Sequence, residues 1–278
     1  MKYLKTKFAC TILCTAGFLY WQNNGLMLTK KCHYKNVPKG FNDYKILQVS
    51  DLQNKAFGNN QARLLSKIRN ATPDIIVVTG DLIDRNRTNL DTAMAFVDGA
   101  VDIAPVYYVS GNHEHQSGYF EELTERLTQA GVTVLENGKS IIKRNGDTLE
   151  IIGLADKRVN PYFDQALSTL LKGGEDGRFR LLLCHRPELF KTYVEKGVHL
   201  AFTGHAHGGQ IRLPFIGGVF APNQGFFPTY TTGVYEKANT AMVVSRGLGN
   251  STFPFRFFNR PELVLITLKS ENKVEEII

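Results

Sequence analysis

Apolar runs and amphipathic segments alternate along the chain from residue 44 onward. Residues 44–50 are rich in aliphatic and β-branched side chains, which predicts a strand. Residues 75–79 form a continuous apolar run, which is typical of a strand covered on both faces. Between them, residues 60–71 carry apolar side chains at a helical spacing. This region is therefore predicted to fold as a strand, a helix and a second strand.

The same alternation continues through the rest of the chain. Further strands are predicted at residues 106–110, 132–135, 140–143, 149–153, 179–184, 199–203, 241–245 and 262–268. Helices are predicted at residues 89–102, 118–130 and 162–172, followed by a glycine-rich loop at 173–177 and a helix that begins at Pro187. No repeat or linker interrupts the pattern, so residues 41–270 are predicted to form one α/β domain with two strand-rich halves.

The first 25 residues follow a different pattern. Three lysines precede an apolar run at residues 8–21, and polar residues 22–25 follow it. The run is short for a helix that crosses a bilayer, which needs roughly 17–25 residues, although lysine side chains can extend it at its start. We expect residues 1–25 to form a membrane anchor. A cleaved secretory signal is the first alternative, although no small-residue cleavage site follows Trp21, and a helix buried in the core is the second.

Most of the excess charge lies near the N-terminus. The 278 residues include 33 Lys and Arg against 26 Asp and Glu, and the first 40 residues contain seven lysines but no Arg, Asp or Glu. The remainder is balanced, with 26 basic and 26 acidic residues, so no stable nucleic-acid partner is expected. The N-terminal lysines suit contact with anionic lipid beside the apolar run.

Residues that commonly bind metals follow five of the predicted strands. They are Asp51, Asp81, the pair Asn112 and His113, His185, and the pair His205 and His207. The carboxyl ends of strands in an open α/β sheet converge on one crevice, so these side chains are expected to lie together. A single Asp after a strand is more often a turn or capping residue, but five such strand ends indicate a metal centre.

These residues lie in a series of motifs between residues 44 and 210. The motifs are Asp51-Leu52-Gln53, Gly80-Asp81-Leu82-Ile83-Asp84, Gly111-Asn112-His113-Glu114, His185, and Gly204-His205-Ala206-His207. In this order they resemble the motifs of the calcineurin-like metallophosphoesterases, and residues 245–249 and 260–262 are similar to a branch containing membrane-associated bacterial phosphodiesterases. The resemblance implies an α/β fold in which two packed mixed β-sheets are flanked by helices, in four layers (α/β/β/α).

The resemblance also implies a site for two divalent metal ions, with Asp81 as the bridge between them. The other ligands would be Asp51, Gln53 and His207 at the first ion, and Asn112, His185 and His205 at the second. His113 would be the general acid that protonates the leaving oxygen, and Asp84 would orient its imidazole. A mixture of carboxylate and imidazole ligands suits Mn²⁺, Fe²⁺ or Zn²⁺ better than Mg²⁺ or Ca²⁺.

Gln53 departs from the family pattern, which has His at this position. A Gln oxygen is a weaker ligand than imidazole for these metals, so we expect the first ion to bind weakly or to be Mn²⁺. His115 is an alternative ligand, although an exposed loop position is expected for it. If Gln53 disables the first site, the chain is a single-metal hydrolase or a non-catalytic domain of the same fold. The retained His113 and Asp84 argue against a non-catalytic domain.

The predicted activity follows from the resemblance. We expect a metal-dependent phosphoesterase, in the first instance a phosphodiesterase. It would hydrolyse a phosphodiester, phosphomonoester or pyrophosphate bond with a hydroxide that the metal ions activate. The branch and the N-terminal segment indicate a lipid-linked or nucleotide-sugar substrate. We expect the catalytic domain to lie outside the cytoplasm at the cell membrane, or to be secreted if the segment is cleaved.

Overall fold

Two six-stranded sheets lie at the centre of the computed structural model, which describes residues 2–172, 178–251 and 253–270. The strands are β1 (Met27–His33), β2 (Lys45–Val49), β3 (Ile75–Thr79), β4 (Val106–Val109), β5 (Thr133–Val134), β6 (Gly138–Arg144), β7 (Asp147–Gly153), β8 (Phe179–Leu183), β9 (Leu200–Thr203), β10 (Arg212–Leu213), β11 (Gly217–Gly218), β12 (Phe220–Ala221), β13 (Gly225–Phe226), β14 (Gly233–Lys237), β15 (Thr240–Val244) and β16 (Glu262–Leu268). The α-helices are α1 (Lys2–Asn24), α2 (Ala62–Ala71), α3 (Leu90–Val101), α4 (Asn112–Ser117), α5 (Phe120–Gln129), α6 (Phe163–Leu171) and α7 (Phe190–Glu195). Short 3-10 helices lie at Lys39–Phe41, Asn59–Gln61, Pro187–Leu189 and His207–Gly209. The predicted loop at 173–177 lies outside the described residues.

Both sheets are mixed, with parallel strands at their centres. The first sheet has the order β1-β16-β2-β3-β4-β5, in which β2 to β5 are parallel and β16 is antiparallel to β2. The second has the order β14-β15-β9-β8-β7-β6, in which β15, β9, β8 and β7 are parallel and each outer strand is antiparallel to its neighbour. Because parallel strands end at the same edge of a sheet, each sheet delivers several loops to one edge.

Three apolar clusters join the layers of the fold. In β3, Val77 packs between the two sheets, whereas its neighbour Val78 faces the layer of α2, α3 and α5. This alternation follows from the two-residue period of a strand, and it explains why β3 is buried along its whole length. On the far side, Leu182 of β8 packs with Phe163 of α6 and Phe190 of α7. The predicted four-layer α/β/β/α arrangement of two mixed sheets flanked by helices is confirmed.

Most elements predicted from the hydrophobic pattern lie within two residues of their observed bounds. The helix predicted at Pro187 begins as a 3-10 helix and continues as α7. The pattern missed β1, α4 and the short strands β10 to β14. Strand β1 carries consecutive lysines and is largely exposed except at its end, so it lacks the apolar alternation of a covered strand. Helix α4 was predicted as a loop because its residues belong to a ligand motif.

Helix α1 is attached to the domain at its C-terminal end. Its last carbonyl groups accept hydrogen bonds from basic side chains of the domain: Lys55 Nζ to Asn23 O, Arg63 Nη2 to Asn24 O at 3.1 Å, and Arg260 Nε to Gly25 O at 2.8 Å. Cations at this end satisfy carbonyl groups that have no partner within the helix and oppose the negative end of its dipole. The C-terminal end of α1 is therefore fixed by polar contacts.

Farther from this end, apolar side chains of α1 are exposed. Ile12 and Leu13 are 51% and 71% exposed, so the alternative of a helix buried in the core is wrong. Within the described part of the chain, no helix combines the length and the apolar content that a membrane crossing requires. The predicted membrane anchor therefore has no support from this helix, and the location outside the cytoplasm stays a prediction.

Candidate metal centre

Polar loops from both sheets meet at one place. Strands β2, β3 and β4 of the first sheet lead to Asp51, Asp81 and Asn112, and strands β8 and β9 of the second lead to His185 and to the pair His205 and His207. All of these residues are buried, with exposed fractions of 8% or less. The convergence predicted from the strand ends is therefore present.

Two groups of side chains within this cluster could each hold a metal ion, and Asp81 belongs to both. One group is Asp81, His185 and His205, and the other is Asp51, Asp81 and His207. In each group the potential ligand atoms all lie within 4.8 Å of one another. His185 Nε2 is 3.3 Å from Asp81 Oδ2, and His207 Nε2 is 3.3 Å from Asp51 Oδ1. Carboxylate and imidazole at these separations suit a divalent transition metal.

Gln53 and Asn112 supply amide groups on the same loops. Gln53 Nε2 is 3.3 Å from both Asp81 Oδ2 and His207 Nε2. Among the described residues, no hydrogen-bond donor reaches the buried oxygens Gln53 Oε1 and Asn112 Oδ1. A buried oxygen without a donor is costly unless a cation or water satisfies it, so both residues fit a metal site. Because the O and N atoms of an amide are assigned from their partners, a flip of Gln53 places its oxygen toward Asp81 and His207.

The backbone conformation at the ligands is unusual. Positive φ angles between 46° and 63° occur at Asp51, Asp81, His205 and His207. A residue with a Cβ seldom adopts such an angle. Residues held in this region cluster at functional sites, where the surrounding structure over-determines them. Gly111 shows how close the loops approach, because a Cβ there would lie 2.2 Å from Asp81 Oδ1. The close approach of these two loops thus requires a glycine at position 111.

Neighbouring groups orient the candidate ligands. His185 Nδ1 is 2.7 Å from Thr79 O, so this nitrogen carries a proton and Nε2 faces Asp81. Ser50 Oγ donates a hydrogen bond to Asp51 Oδ2 at 2.6 Å. Asn259 Nδ2 donates to the carbonyl oxygen of His207 at 2.6 Å. Asn259 lies beyond the ligand motifs and was not predicted from the sequence.

Asp81 and His185 carry opposite charges within the cluster. Burial alone would raise the pKa of Asp81, but the neighbouring histidines, with His185 the strongest, hold it well below its usual value. Burial alone would lower the pKa of His185, but Asp81 and then Asp51 raise it to about 10. The two groups form a buried ion pair, and a cation that binds Asp81 competes with the His185 proton.

Glu114 has a structural role at the centre of the site. Its side chain is fully buried, and Oε2 accepts hydrogen bonds from Gly111 N at 2.7 Å and from Asp81 N at 2.9 Å. Burial, and then the charge of Asp81, raise the pKa of Glu114 to about 8. The side chain joins the loops after β3 and β4, which positions Asp81 beside Asn112. The motif Gly111-Asn112-His113-Glu114 was the sequence signal, but it did not reveal this role.

His113 faces the site from the second residue of α4. Its Nε2 is 3.9 Å from Asp81 Oδ2, and its Nδ1 accepts a hydrogen bond from Arg85 N at 3.2 Å. An acceptor at Nδ1 places the proton of the neutral ring on Nε2, which faces the cluster. Burial lowers the pKa of His113 although Asp81 and Asp84 oppose this shift.

Asp84 acts on this imidazole through a turn. Its Oδ1 accepts hydrogen bonds from Asn86 N at 2.8 Å and Arg87 N at 3.2 Å, and these bonds stabilise the turn that presents Arg85 N to His113. Asp84 thus reaches the imidazole of His113 through this backbone donor, and its role in orienting the ring stays a prediction. His115, the alternative ligand, points elsewhere: its Nε2 is 2.7 Å from Ser110 Oγ, and its ring is half-buried on α4.

Arg186 brings a buried positive charge to the edge of the cluster. Its guanidinium donates to both carboxylate oxygens of Asp156, at 2.6 and 2.8 Å, and to Asn223 Oδ1 at 2.7 Å. Its Nη1 also lies 2.8 Å from His205 Nε2, while His205 Nδ1 lies 3.1 Å from His185 Nε2. Arg186 was not predicted, although its position directly after the predicted ligand His185 was a signal that could have revealed it.

With this fold and this cluster, the chain belongs to the calcineurin-like phosphoesterase family, whose family model matches residues 44–209. It is similar to YkuE of Bacillus subtilis, an uncharacterized metallophosphoesterase, with 35% identity over 244 residues that cover 85% of this chain and 82% of the relative. Phosphodiesterase YaeI of Escherichia coli is 28% identical over 235 residues, covering 81% of this chain and 82% of the relative. The solved structure of a dimetal phosphatase from Danio rerio aligns with 81% of this chain and 99% of its own, at 14% identity and a TM-score of 0.48.

Proposed function

We propose that the protein is a phosphoesterase that holds two divalent cations. The observation that carries this proposal is the position of Asp81, which belongs to both groups of candidate ligands. Asp81 Oδ2 lies 3.3 Å from both His185 Nε2 and Gln53 Nε2, whereas Oδ1 accepts a hydrogen bond from His113 N. The same carboxylate oxygen therefore faces both groups, so Asp81 suits a bridging role. When bound, the cations would activate a water molecule and neutralise the developing charge on the phosphoryl group.

Each of the two sites would take ligands from loops of both sheets. Asp51, Gln53 and His207 would complete the first site, and Asn112, His185 and His205 would complete the second. The unsatisfied oxygens of Gln53 and Asn112 support their inclusion. The mixed oxygen and nitrogen donors favour Mn²⁺, Fe²⁺ or Zn²⁺.

His113 would donate a proton to the leaving oxygen. Arg85 N holds Nδ1 as an acceptor, so Nε2 carries the proton and faces the cluster that contains Asp81. A positioned acid of this kind typically accelerates a reaction by about 10²–10⁴-fold. We propose a phosphodiester as the substrate class, because the relative YaeI is a phosphodiesterase.

A single-metal hydrolase is the second candidate, and the orientation of Gln53 favours it. The Gln53 amide nitrogen, which cannot bind a cation, faces Asp81 and His207. If the amide keeps this orientation, Asp81, His185 and His205 hold one ion and the first site stays weak. The two candidates therefore differ in the number of bound ions.

Metal analysis and hydrolysis of bis-p-nitrophenyl phosphate test both candidates. The purified protein is reconstituted separately with Mn²⁺, Fe²⁺, Zn²⁺ and Co²⁺, and its bound metal is measured by mass spectrometry. Two ions per chain with turnover support the binuclear enzyme, and one ion with turnover supports the single-metal enzyme. If none of the four ions gives a rate above that of the Asp81→Asn variant, the result would favour the non-catalytic domain.

A further inference from the structure

An apolar cavity of about 310 Å³ lies beside the metal centre. Its walls are formed by the backbone of Gly209 and by Gln210, and otherwise by apolar side chains, namely Ile211, Val219, Phe220, Phe226 and Phe253. Within the described residues, no charged side chain lines this cavity. Its volume is at the lower end of the range of about 300–1,000 Å³ for small-molecule pockets. Such walls offer few hydrogen-bond partners to a sugar or a nucleobase.

The cavity is joined to the metal centre through Gln210 and Phe253. These two residues also line a smaller polar cavity whose wall contains the candidate metal ligand His207. One end of the Gln210 amide is satisfied, because Oε1 accepts a hydrogen bond from Phe253 N at 3.2 Å. The apolar cavity and the cavity beside His207 therefore share a wall formed by Gln210 and Phe253.

Gln210 also has a donor group without a partner. The residue is 7% exposed, and no acceptor among the described residues reaches its buried Nε2. Its positive φ of 56° is an uncommon conformation for a residue with a Cβ. A buried amide donor without an acceptor is costly, so it points to a ligand oxygen at the junction of the two cavities.

Phenylalanines at the cavity mouth are unusually exposed. The rings of Phe220 and Phe226 pack edge to face at 5.5 Å, yet these residues are 37% and 73% exposed. Grouped exposed aromatic residues on a soluble surface commonly mark a binding site. Here they continue the apolar wall outward from the cavity.

We propose that this cavity binds a hydrocarbon chain of an amphipathic phosphoester, with Gln210 Nε2 donating a hydrogen bond to an ester or phosphoryl oxygen. The proposal rests on the proposed function, because it places the phosphoryl group at the metal centre. The hydrocarbon chain belongs to the part of the ester that stays on the phosphoryl group when the leaving group departs. Its burial adds binding energy without a new polar contact.

Alkyl p-nitrophenyl phosphates with alkyl groups from methyl to octyl test this proposal, used below the concentration at which they form micelles. Full burial of a methylene raises affinity about fourfold, so kcat/KM is expected to rise at least tenfold from methyl to hexyl. The variant F220A/F226A should lose most of this gain, measured relative to its own rate with the methyl ester. The exposed Phe215, which does not line the cavity, provides the matched control F215A.

A second measurement does not require turnover. Calorimetry compares the affinities of octylphosphonate and methylphosphonate for the metal-loaded protein. Tighter binding of octylphosphonate, reduced in F220A/F226A but kept in F215A, supports the proposal. Equal affinities, or a chain-length gain that F220A/F226A retains, overturn it. If the methyl ester is hydrolysed and longer chains bring no gain, this proposal alone is overturned. If no ester is hydrolysed but octylphosphonate still binds more tightly than methylphosphonate, the proposed function alone is overturned.

Discussion

Asn23 binds the backbone of Arg256 at both ends of its amide. Asn23 Oδ1 accepts a hydrogen bond from Arg256 N at 2.8 Å, and Asn23 Nδ2 donates to Arg256 O at 3.3 Å. The buried guanidinium of Arg256 in turn donates to the carbonyl oxygens of Gly249 and Arg246. Gly249 N then donates to Asp51 O at 2.6 Å. A chain of hydrogen bonds thus connects the end of α1 with the loop of a candidate metal ligand.

Loss of the Asn23 amide should weaken the attachment of α1. We expect Asn23→Ala to lower the free energy of unfolding by about 1–3 kcal/mol, because both hydrogen bonds to Arg256 are lost and Arg256 N is left without its acceptor. Urea unfolding measures this change. The adjacent Asn24→Ala is the matched control, because among the described residues the Asn24 side chain donates only to Tyr20 O within the helix. Equal losses in the two variants would contradict the structural role of the Asn23 contact.

A histidine at position 53 should strengthen the first metal site. In Gln53→His, an imidazole replaces an amide whose nitrogen faces Asp81 and His207, and imidazole is the better ligand for borderline metals. We expect higher metal occupancy after dialysis against limiting Mn²⁺ or Zn²⁺, measured by mass spectrometry, together with a higher rate at low metal concentration. Unchanged stoichiometry and rate would show that Gln53 does not limit binding.

Metal removal should destabilise the protein in a way that depends on Asp81. A ligand at 100 times its Kd stabilises a fold by about 2.7 kcal/mol, so adding Mn²⁺ after chelation should raise Tm. Asp81→Asn should abolish most of this rise, because Asp81 is common to both groups of ligands. His205→Ala should keep part of it, because the group of Asp51, Asp81 and His207 stays intact. The proposed bridge is refuted if Asp81→Asn retains the full rise.

The role of His113 as an acid should depend on the leaving group. p-Nitrophenolate leaves readily without a proton, whereas an alkoxide does not, so His113→Ala should slow the release of alkyl groups about 10²-fold or more and that of p-nitrophenol much less. Initial rates with a series of leaving groups measure this difference. His115→Ala is the control from the same helix, since its side chain binds Ser110. A uniform loss across the series would assign His113 a structural role.

The local pattern was sufficient for much of the fold and the candidate ligands. The run at residues 75–79 predicted a buried strand, and the strand direction then placed Asp81 at the edge where Asp51 also lies. Glu114 and Arg186 were not assigned roles, because each acts through partners from distant loops. Glu114 accepts a hydrogen bond from the backbone N–H of Asp81, and Arg186 binds Asp156, 30 residues away.

The sequence by itself determined where most of the long strands lie along the chain and which residues follow them, because the period of apolar side chains and the residues at strand ends are local properties. Tertiary structure alone decided how the separate loops combine. It placed Asn23 against Arg256 across 233 residues of chain, and it joined Gln210 and Phe253 in the wall of an apolar cavity. Such contacts depend on how the two sheets pack, which follows from the burial of the three apolar clusters together, and on the polar contacts at the end of α1.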